Sequence, residues 1–326
     1  MKASWKILVA ALAVFAGIGT AQAQTPAYPT KVVRFIVPFP AGGGVDFVAR
    51  TVAQRLSDSL KQQVIVENKS GGSGRIGAES VARSEPDGHT ILIASPAETI
   101  IAAAAGQKLT YEPRKDLVAV TLIGETPLVI AVHPSVQANN LKELLALAKA
   151  QPGKLDYGTP GVGSSMQFAG VMLELIAGVQ LQHLPYKGAA PAVTDALGGQ
   201  IPIVIVGSPP VIPLAKAGKL KVLAVTGDRR SPTLPDTPAV AEMPGFEKYR
   251  FTNWMGVFVP AKTPQPIVDR LATEISRIAK DPSTREALMT QGVEGMGLSP
   301  SEFARFLDDE FRRYATIAKE RNITID

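Results

Sequence analysis

Short apolar runs alternate along the chain with stretches in which apolar residues recur every three or four positions. The first such pair is an apolar run at 33–37 followed by 45–60, where Val48, Val52 and Leu56 fall on one helical face. The other runs that predict strands are 64–66, 91–94, 117–123, 128–132, 155–157, 181–184, 203–206, 222–226 and 257–259. The other stretches that predict helices are 76–82, 99–105, 141–150, 166–177, 189–197 and 211–217. Strands that are apolar throughout and are separated by helices are typical of parallel sheets covered on both faces, so the pattern predicts an α/β protein.

Several helix starts carry side chains that can cap free main-chain N–H groups. Asn140 precedes the predicted helix at 141–150, and Glu143 stands where it completes a capping box. Near the C-terminus a capping residue precedes a proline at three places, Thr263-Pro264, Asp281-Pro282 and Ser299-Pro300. The last part of the chain is therefore predicted to be helical.

The N-terminal segment has the three-part layout of a secretory signal peptide. Lys2 and Lys6 precede an uncharged apolar run at 7–19, and the small residues Ala21 and Ala23 follow it. The apolar run is shorter than the ~20 residues that a spanning helix needs, although an uncleaved anchor stays an alternative. We predict that residues 1–23 are a signal peptide cleaved after Ala23 and that the mature protein is periplasmic.

Composition excludes several classes of site. The chain has 326 residues, a formal net charge of +5 and no cysteine, which removes thiolate nucleophiles, disulfides, cysteine zinc sites and Fe–S clusters. The mild positive charge is not clustered, which argues against a nucleic-acid partner. The three histidines are His89, His133 and His183, predicted to be a turn or surface residue, a strand-end residue and a hydrogen-bonded core residue. We expect no metal and no cofactor.

The loops that follow the predicted strands gather glycine, serine, threonine and proline. In open α/β sheets, ligands bind beyond the carboxyl ends of the strands, where helices begin and free N–H groups attract anions. Ordinary strand–helix turns with caps remain the alternative for any single loop. The residues predicted to bind a ligand are Phe39, Pro40, Ala41, Gly42, Gly43, Gly44, Val45, Asp46, Ser95, Thr159, Gly163, Ser164, Ser165, Tyr186, Lys187, Gly188, Ala190 and Ser208.

These loops lack most of the side chains that catalysis needs. They contain no histidine, cysteine or arginine, and Asp46 and Glu98 are their only carboxylates. Ser164 and Ser165 are candidate nucleophiles without a visible base, so capping and ligand hydrogen bonding are favoured for them. Lys187 is either an attractant for an anionic ligand or a solvated surface residue. We predict no catalytic residue.

Gly72, Gly74 and Gly77 follow a strand with the spacing of a dinucleotide fingerprint, and Glu98 lies past the next strand. Two observations count against a nicotinamide site. An exported protein meets little of that cofactor, and the gap between strand and glycines is looser than the fingerprint requires. A glycine-rich loop at the edge of a lobe is the favoured interpretation.

A series of short motifs covers essentially the whole mature chain. It includes Tyr28-Pro29-Thr30-Lys31, Gly42-Gly43-Gly44-Val45-Asp46, Pro86-Asp87-Gly88-His89-Thr90, Gly163-Ser164-Ser165, Pro185-Tyr186-Lys187-Gly188 and Leu234-Pro235-Asp236-Thr237-Pro238. This series resembles the Bug-type (TctC-like) receptors, the periplasmic substrate-binding proteins of tripartite tricarboxylate transporters.

The resemblance implies a two-lobed, type II periplasmic-binding-protein fold, with a mainly parallel sheet flanked by helices in each lobe. It places lobe 1 at 24–124 plus 228–326 and lobe 2 at 125–227, with crossings near 124 and 227. It implies closure on a small organic carboxylate, held by main-chain N–H groups, hydroxyls and waters, with Tyr186 brought onto the ligand. We also predict that the protein is a monomer. The closed form then docks on a membrane permease. A ligand-dependent signalling partner and, less favoured, an exported hydrolase are the alternatives.

Three positions depart from the family pattern. Val45 stands where a threonine is usual, Gly207-Ser208 where many relatives carry an acid, and Met255 where an aromatic residue is common. An acid after that strand would suit an amino group on the ligand. Its absence favours a plain or aromatic carboxylate over an amino acid.

Overall fold

The computed structural model describes residues 28–320 and 323. The predicted signal peptide lies outside these residues. Among the residues described, no helix is both long and apolar enough to span a bilayer.

The described chain alternates strands and helices. The strands are β1 Val33–Val37, β2 Val64–Asn68, β3 Thr90–Ala94, β4 Leu117–Val132, β5 Asp156–Thr159, β6 Gln182–Pro185, β7 Ile203–Gly207, β8 Lys221–Val225, β9 Thr252–Pro260 and β10 Glu294–Gly295. The α-helices are α1 Gly44–Leu60, α2 Arg75–Ala82, α3 Ala102–Ala104, α4 Pro113–Asp116, α5 Leu141–Ala150, α6 Ser165–Ala177, α7 Ala189–Leu197, α8 Ile212–Lys216, α9 Gln265–Lys280, α10 Pro282–Met289 and α11 Pro300–Glu320. A π-helical turn, Ala97–Ile101, leads into α3, and single 3₁₀ turns lie at Gly72–Gly74 and Val240–Glu242.

The strands form one curled sheet of two halves, in the order β2-β1-β3-β9-β4-β7-β5-β6, with β8 and β10 also paired to β4. β4 belongs to both halves: residues 117–127 pair with β9, and residues 128–132 pair with β7 and β8. We call the half with β2, β1, β3 and β9 the first lobe and the half with β7, β5, β6 and β8 the second lobe. The prediction of a two-lobed α/β fold is confirmed.

Parallel pairing is confined to the outer strands of each lobe. β2-β1-β3 and β7-β5-β6 are parallel, as the alternation of strands and helices predicts. β9 and β4 are antiparallel to their neighbours, because each carries the chain across the middle of the molecule rather than through a strand–helix–strand unit. The sheet is therefore mixed at its centre.

The sequence predicts two strands here, one ending at residue 123 and the next beginning at residue 128, and this prediction is wrong. Residues Gly124 to Pro127 pair with Met255 to Thr252 of β9, so β4 is one continuous strand. β9 is likewise longer than the predicted 257–259. The polar residues Glu125 and Thr126 suggested a loop, but the paired strand buries Thr126 and most of Glu125.

The chain between β8 and β9 packs on the second lobe before it returns. Val225 bridges Ala239, and the Tyr249 hydroxyl donates to the main-chain oxygen of Ala169, 2.7 Å away. The Phe251 N–H donates to Thr226 O at 2.9 Å, next to the start of β9. The lobe boundaries near 124 and 227 stay predictions.

Three of the four predicted helix caps form. Asn140 accepts from the Glu143 N–H, Asp281 from Ser283 and Thr284, and Ser299 from Glu302. The prediction for Thr263 is wrong, because its hydroxyl donates to Pro260 O and α9 begins only after Pro264.

Candidate ligand-binding site

A cavity lies between the lobes, at the carboxyl ends of β1, β3 and β5. It has a volume of about 510 Å³, which includes space open to solvent. Its lining is largely apolar, and the polar side chains in it are uncharged. The lining residues are Phe39, Gly43, Gly44, Val45, Ser95, Ala97, Thr126, Pro160, Ser164, Ser165, Met166, Ala189, Gly207 and Asn253.

The first-lobe side of the cavity contains the N-terminus of α1. Gly43 is the N-cap residue, in extended conformation, and no side chain caps the helix start. Gly44 and Val45, the first helical residues, line the cavity. The first N–H groups of a helix have no partner within it and carry partial positive charge. This end of α1 can therefore bind an anion.

The second-lobe side contains the N-terminus of α6. Ser164 caps this helix by accepting from the Gln167 N–H at 3.2 Å, and Gln167 Oε1 accepts from the Gly163 N–H at 2.6 Å. Ser165 and Met166 follow and line the cavity. The cap uses one helix donor, and the N–H groups at the very start of α6 remain available.

A third helix start, that of α7, brings the two lobes into contact. Ala189 lines the cavity, and Gly188 before it lies against the Pro40 ring of the first lobe. Ala190 lies beside Gly42. Three helix N-termini thus converge on one apolar space, which is the arrangement expected for an anion with an apolar body.

A second cross-lobe contact closes the other edge of the cleft. Gly161 of the β5–α6 loop, at φ +147°, lies against the Ser73 hydroxyl of the 3₁₀ turn Gly72–Gly74. The glycine-rich segment with fingerprint spacing is thus part of the cleft rim.

Asp46 holds the first loop in place rather than lining the cavity. Its carboxylate is 4 % exposed and accepts from Gly42 N at 3.0 Å, from Asn68 Nδ2 at 2.9 Å and from the Arg50 guanidinium. Burial alone would raise the pKa of this carboxyl, but the hydrogen bonds from Arg50, Gly42 and Asn68 outweigh it and lower the pKa. Asn68 also donates to Phe39 O, so one network fixes both ends of the loop.

Seven of the predicted ligand residues line the cavity: Phe39, Gly43, Gly44, Val45, Ser95, Ser164 and Ser165. Another seven lie in the adjoining loops or in the first turns of α1 and α7: Pro40, Ala41, Gly42, Asp46, Gly163, Gly188 and Ala190.

Four predicted residues have other partners or lie at the surface. Thr159 is buried and bonds His183 Nε2 at 2.7 Å, and burial lowers the pKa of that imidazole to about 4. The Tyr186 hydroxyl donates to Asp195 Oδ2 at 2.8 Å, and Lys187 is exposed.

Ser208 is fully buried at the junction of the lobes. Its hydroxyl lies 2.7 Å from Thr126 Oγ1 and 3.2 Å from Gln291 O. It therefore links β7 to β4 and to the loop before β10.

Half of the residues that line the cavity were not predicted from the sequence. Ala97, Pro160, Met166, Ala189 and Gly207 belong to or adjoin loops that the sequence pattern had singled out, so loop membership could have found them. Thr126 and Asn253 lie within β4 and β9, and no sequence pattern marks either of them as a ligand-binding residue. They reach the cavity because they are paired neighbours where both strands pass between the lobes.

The histidines do not gather at the cavity. His89, predicted as a turn or surface residue, is buried, with Nε2 accepting from the Thr30 N–H at 3.1 Å and Nδ1 3.3 Å from Asp87. His133 bonds Ser135 at 2.7 Å. Over residues 28–320 and 323, no three histidine or acidic side chains cluster as metal ligands do.

This fold and this site define a two-lobed solute-binding protein. The model of the tripartite tricarboxylate transporter family receptor, TctC, matches residues 48–323. Protein BugT of Bordetella pertussis is 32% identical over 317 residues, which cover 96% of this chain and 97% of that protein. The chain belongs to the TctC family of receptors, whose members are periplasmic binding proteins.

Solved structures agree in fold over nearly the whole chain. A Rhodopseudomonas palustris protein with adipate has a TM-score of 0.87 and 32% identity, over 91% of this chain and 99% of that one. The periplasmic binding protein BugD has a TM-score of 0.85 and 32% identity, also over 91% and 99%.

Proposed function

We propose that this protein is exported to the periplasm, with cleavage after Ala23, and there binds a small organic carboxylate between its lobes as a monomer. It then delivers the acid to a membrane permease of the tripartite tricarboxylate type. The observation that carries the proposal is the convergence of three helix N-termini on a largely apolar cavity with no charged side chain in its lining.

The electrostatics of the cavity suit one carboxylate group. N–H groups at the starts of α1 and α6 supply hydrogen bonds and partial positive charge, and waters can bridge where direct contact is not made. The apolar lining from Phe39, Val45 and Met166 suits the hydrocarbon body of the acid. The uncharged lining and the absence of an acid at Ser208 disfavour a ligand amino group, as the sequence predicts.

Binding is proposed to favour the closed arrangement of the lobes. A ligand that contacts both the α1 and the α6 starts gains affinity only when the cleft is shut, and this difference drives closure. A micromolar dissociation constant requires only ~8 kcal/mol, which a few charge-assisted hydrogen bonds and apolar burial can supply. We place the crossings near 124 and 227 as the hinges.

The test is a thermal-shift screen of the mature protein against mono-, di- and tricarboxylates, with amino acids and sugars as the matched comparison. We expect at least one carboxylate to raise the unfolding midpoint and to give a saturable heat in calorimetry. If amino acids or sugars shift the midpoint while no carboxylate does, the proposed ligand class is wrong.

We propose a binding role rather than catalysis for Ser164 and Ser165. Ser164 Oγ accepts from Gln167 N, and Ser165 Oγ lies 3.3 Å from Met166 Sδ. Among the described residues no histidine, lysine or carboxylate is hydrogen-bonded to either hydroxyl, and a serine nucleophile needs such a base. Turnover of an ester that is lost in both Ser164→Ala and Ser165→Ala would instead support a hydrolase.

A further inference from the structure

A buried carboxyl group lies directly behind the cavity wall. Glu98 is fully buried, and its carboxylate accepts from Ser95 N at 2.6 Å and from Ser95 Oγ at 2.7 Å. Ser95 itself lines the cavity, as does Ala97 on the same π-helical turn. A Cβ atom added at Gly74 would lie 2.9 Å from Glu98 Oε2, so the carboxyl group is tightly enclosed.

The hydrogen bond to Glu98 decides what Ser95 can offer to a ligand. A serine hydroxyl has one hydrogen to donate and two lone pairs that accept. While Glu98 is ionised, that hydrogen points to Glu98 and Ser95 presents only lone pairs to the cavity. If Glu98 carries a proton, its own O–H can donate to Ser95 Oγ, which frees the serine hydrogen to point into the cavity.

We propose that Glu98 is a specificity-determining residue, which sets whether Ser95 accepts or donates a hydrogen bond to the bound acid. This inference rests on the proposed carboxylate function. Ionised Glu98 favours acids that carry a hydroxyl group, whereas neutral Glu98 favours acids that carry a second carbonyl group.

Both protonation states are within reach near neutral pH. Burial raises the pKa of Glu98 to about 7, although the hydrogen bonds from Ser95 act in the opposite direction. The Tyr111 hydroxyl donates to the main-chain oxygen of Glu98 at 2.5 Å, and burial raises the pKa of this tyrosine as well.

The elements packed around the π-helical turn carry further charges. Arg75 and Glu79 of α2 lie near Tyr111. The charged side chains of α4 and α11 are largely paired, Arg114 with Asp308 at 2.6 Å and Glu310 with Arg313 at 3.1 Å.

The test compares Glu98→Gln with the wild type on matched acids. The glutamine amide can donate to Ser95 Oγ at every pH and so mimics the protonated acid. Three sets are used: propanoate, lactate and pyruvate; glutarate, 2-hydroxyglutarate and 2-oxoglutarate; adipate, 2-hydroxyadipate and 2-oxoadipate. We expect the wild type to favour the hydroxy over the oxo acid about tenfold more at pH 8.5 than at pH 6.

In Glu98→Gln the hydroxy-to-oxo preference should be independent of pH and close to the wild-type value at pH 6. Ser95→Ala should remove the pH dependence that the wild type shows, and the double variant with Glu98→Gln should show none either. A pH-dependent preference that is the same in the wild type and in Glu98→Gln would overturn the proposal. The melting temperatures of the ligand-free variants check that each is folded.

A second measurement needs no ligand. A ¹³C NMR titration of the Glu98 carboxyl carbon in the ligand-free protein should show a higher pKa in Ser95→Ala, because the variant loses the hydroxyl that favours the ionised form. An unchanged pKa overturns the inference. If none of the nine acids binds, the thermal-shift screen decides whether the proposed function fails, and this titration decides by itself whether Ser95 and Glu98 are coupled.

Discussion

The two glycine-rich loops that face each other across the cleft look alike in sequence but are held in different ways. The 38–46 loop leaves the start of α1 without a side-chain cap. Hydrogen bonds among Asp46, Arg50 and Asn68 hold this loop in place as a brace. The 158–165 loop is held by its own helix, through Ser164 and Gln167. The first loop therefore leaves its helix donors free, whereas the second uses part of its donors to hold itself.

The largest expected effect comes from removing the brace of the first loop. Asp46→Ala leaves the donors of Gly42 and Asn68 without their partner, so we expect a loss of about 2 kcal/mol in the free energy of unfolding and a ligand affinity lowered at least tenfold. Urea unfolding and calorimetry measure the two effects. Asp309→Ala, which breaks an exposed ion pair with Arg312, is the control and should cost little.

The same brace has a defined pH dependence. Because the folded-state pKa of Asp46 is lowered from 3.8, the stabilisation that it contributes is complete above that value and is lost as the pH falls through the folded-state pKa. The difference in unfolding free energy between the wild type and Asp46→Ala should therefore shrink at acid pH. A difference that is constant from pH 7 to pH 3 contradicts this role.

Gly161→Ala should impair closure with little effect on each lobe. The added methyl group would collide with the Ser73 hydroxyl across the cleft, and φ of +147° favours glycine. We expect ligand affinity to fall about tenfold or more. Gly153→Ala is the control, because it also has a positive φ but meets nothing within 4 Å. Equal losses in the two variants would show that strain alone, rather than cleft contact, is the cause.

Single N–H donors can be removed at either helix start with proline. Proline is tolerated at the first helical position and removes only that N–H group. We expect Gly44→Pro and Ser165→Pro each to weaken binding about tenfold, while circular dichroism stays unchanged. Ser165→Ala, which removes the hydroxyl and keeps the N–H group, separates the two contributions at this position. Gln265→Pro at the start of α9 is the control. If only Gly44→Pro weakens binding, α1 alone holds the carboxylate and the second loop serves as a cover.

The smallest effect is expected from the cap of the second loop. Ser164→Ala removes the acceptor for Gln167 N and should cost about 1 kcal/mol of stability. Ser299→Ala, which removes the exposed cap of α11, is the matched control of similar cost. If Ser164→Ala loses much more ligand affinity than its loss of stability can explain, the Ser164 hydroxyl binds the ligand directly.

The strand–helix alternation and the loops that carry the site were predictable, because short-range patterns encode them. Val33–Val37 and Gly44–Leu60 follow the predicted bounds to within one residue. The continuous β4 was not predictable, since Glu125 and Thr126 look like loop residues until β9 pairs with them. Asn253 was not predicted to line the cavity, because its position there also depends on the pairing of β4 with β9.

From the sequence alone, the α/β fold could be predicted, together with an anion-binding role for helix starts rich in glycine and serine and the expectation of no catalytic residue. That conclusion needs only periodicity, capping chemistry and the residue types in each loop, all of which are local. The tertiary structure alone decided which polar groups are engaged, because Asp46 and Ser208 find partners in other elements and Glu98 is buried behind the cavity wall. Long-range packing sets the burial and the hydrogen-bond partner of each polar group, and no local pattern contains that information.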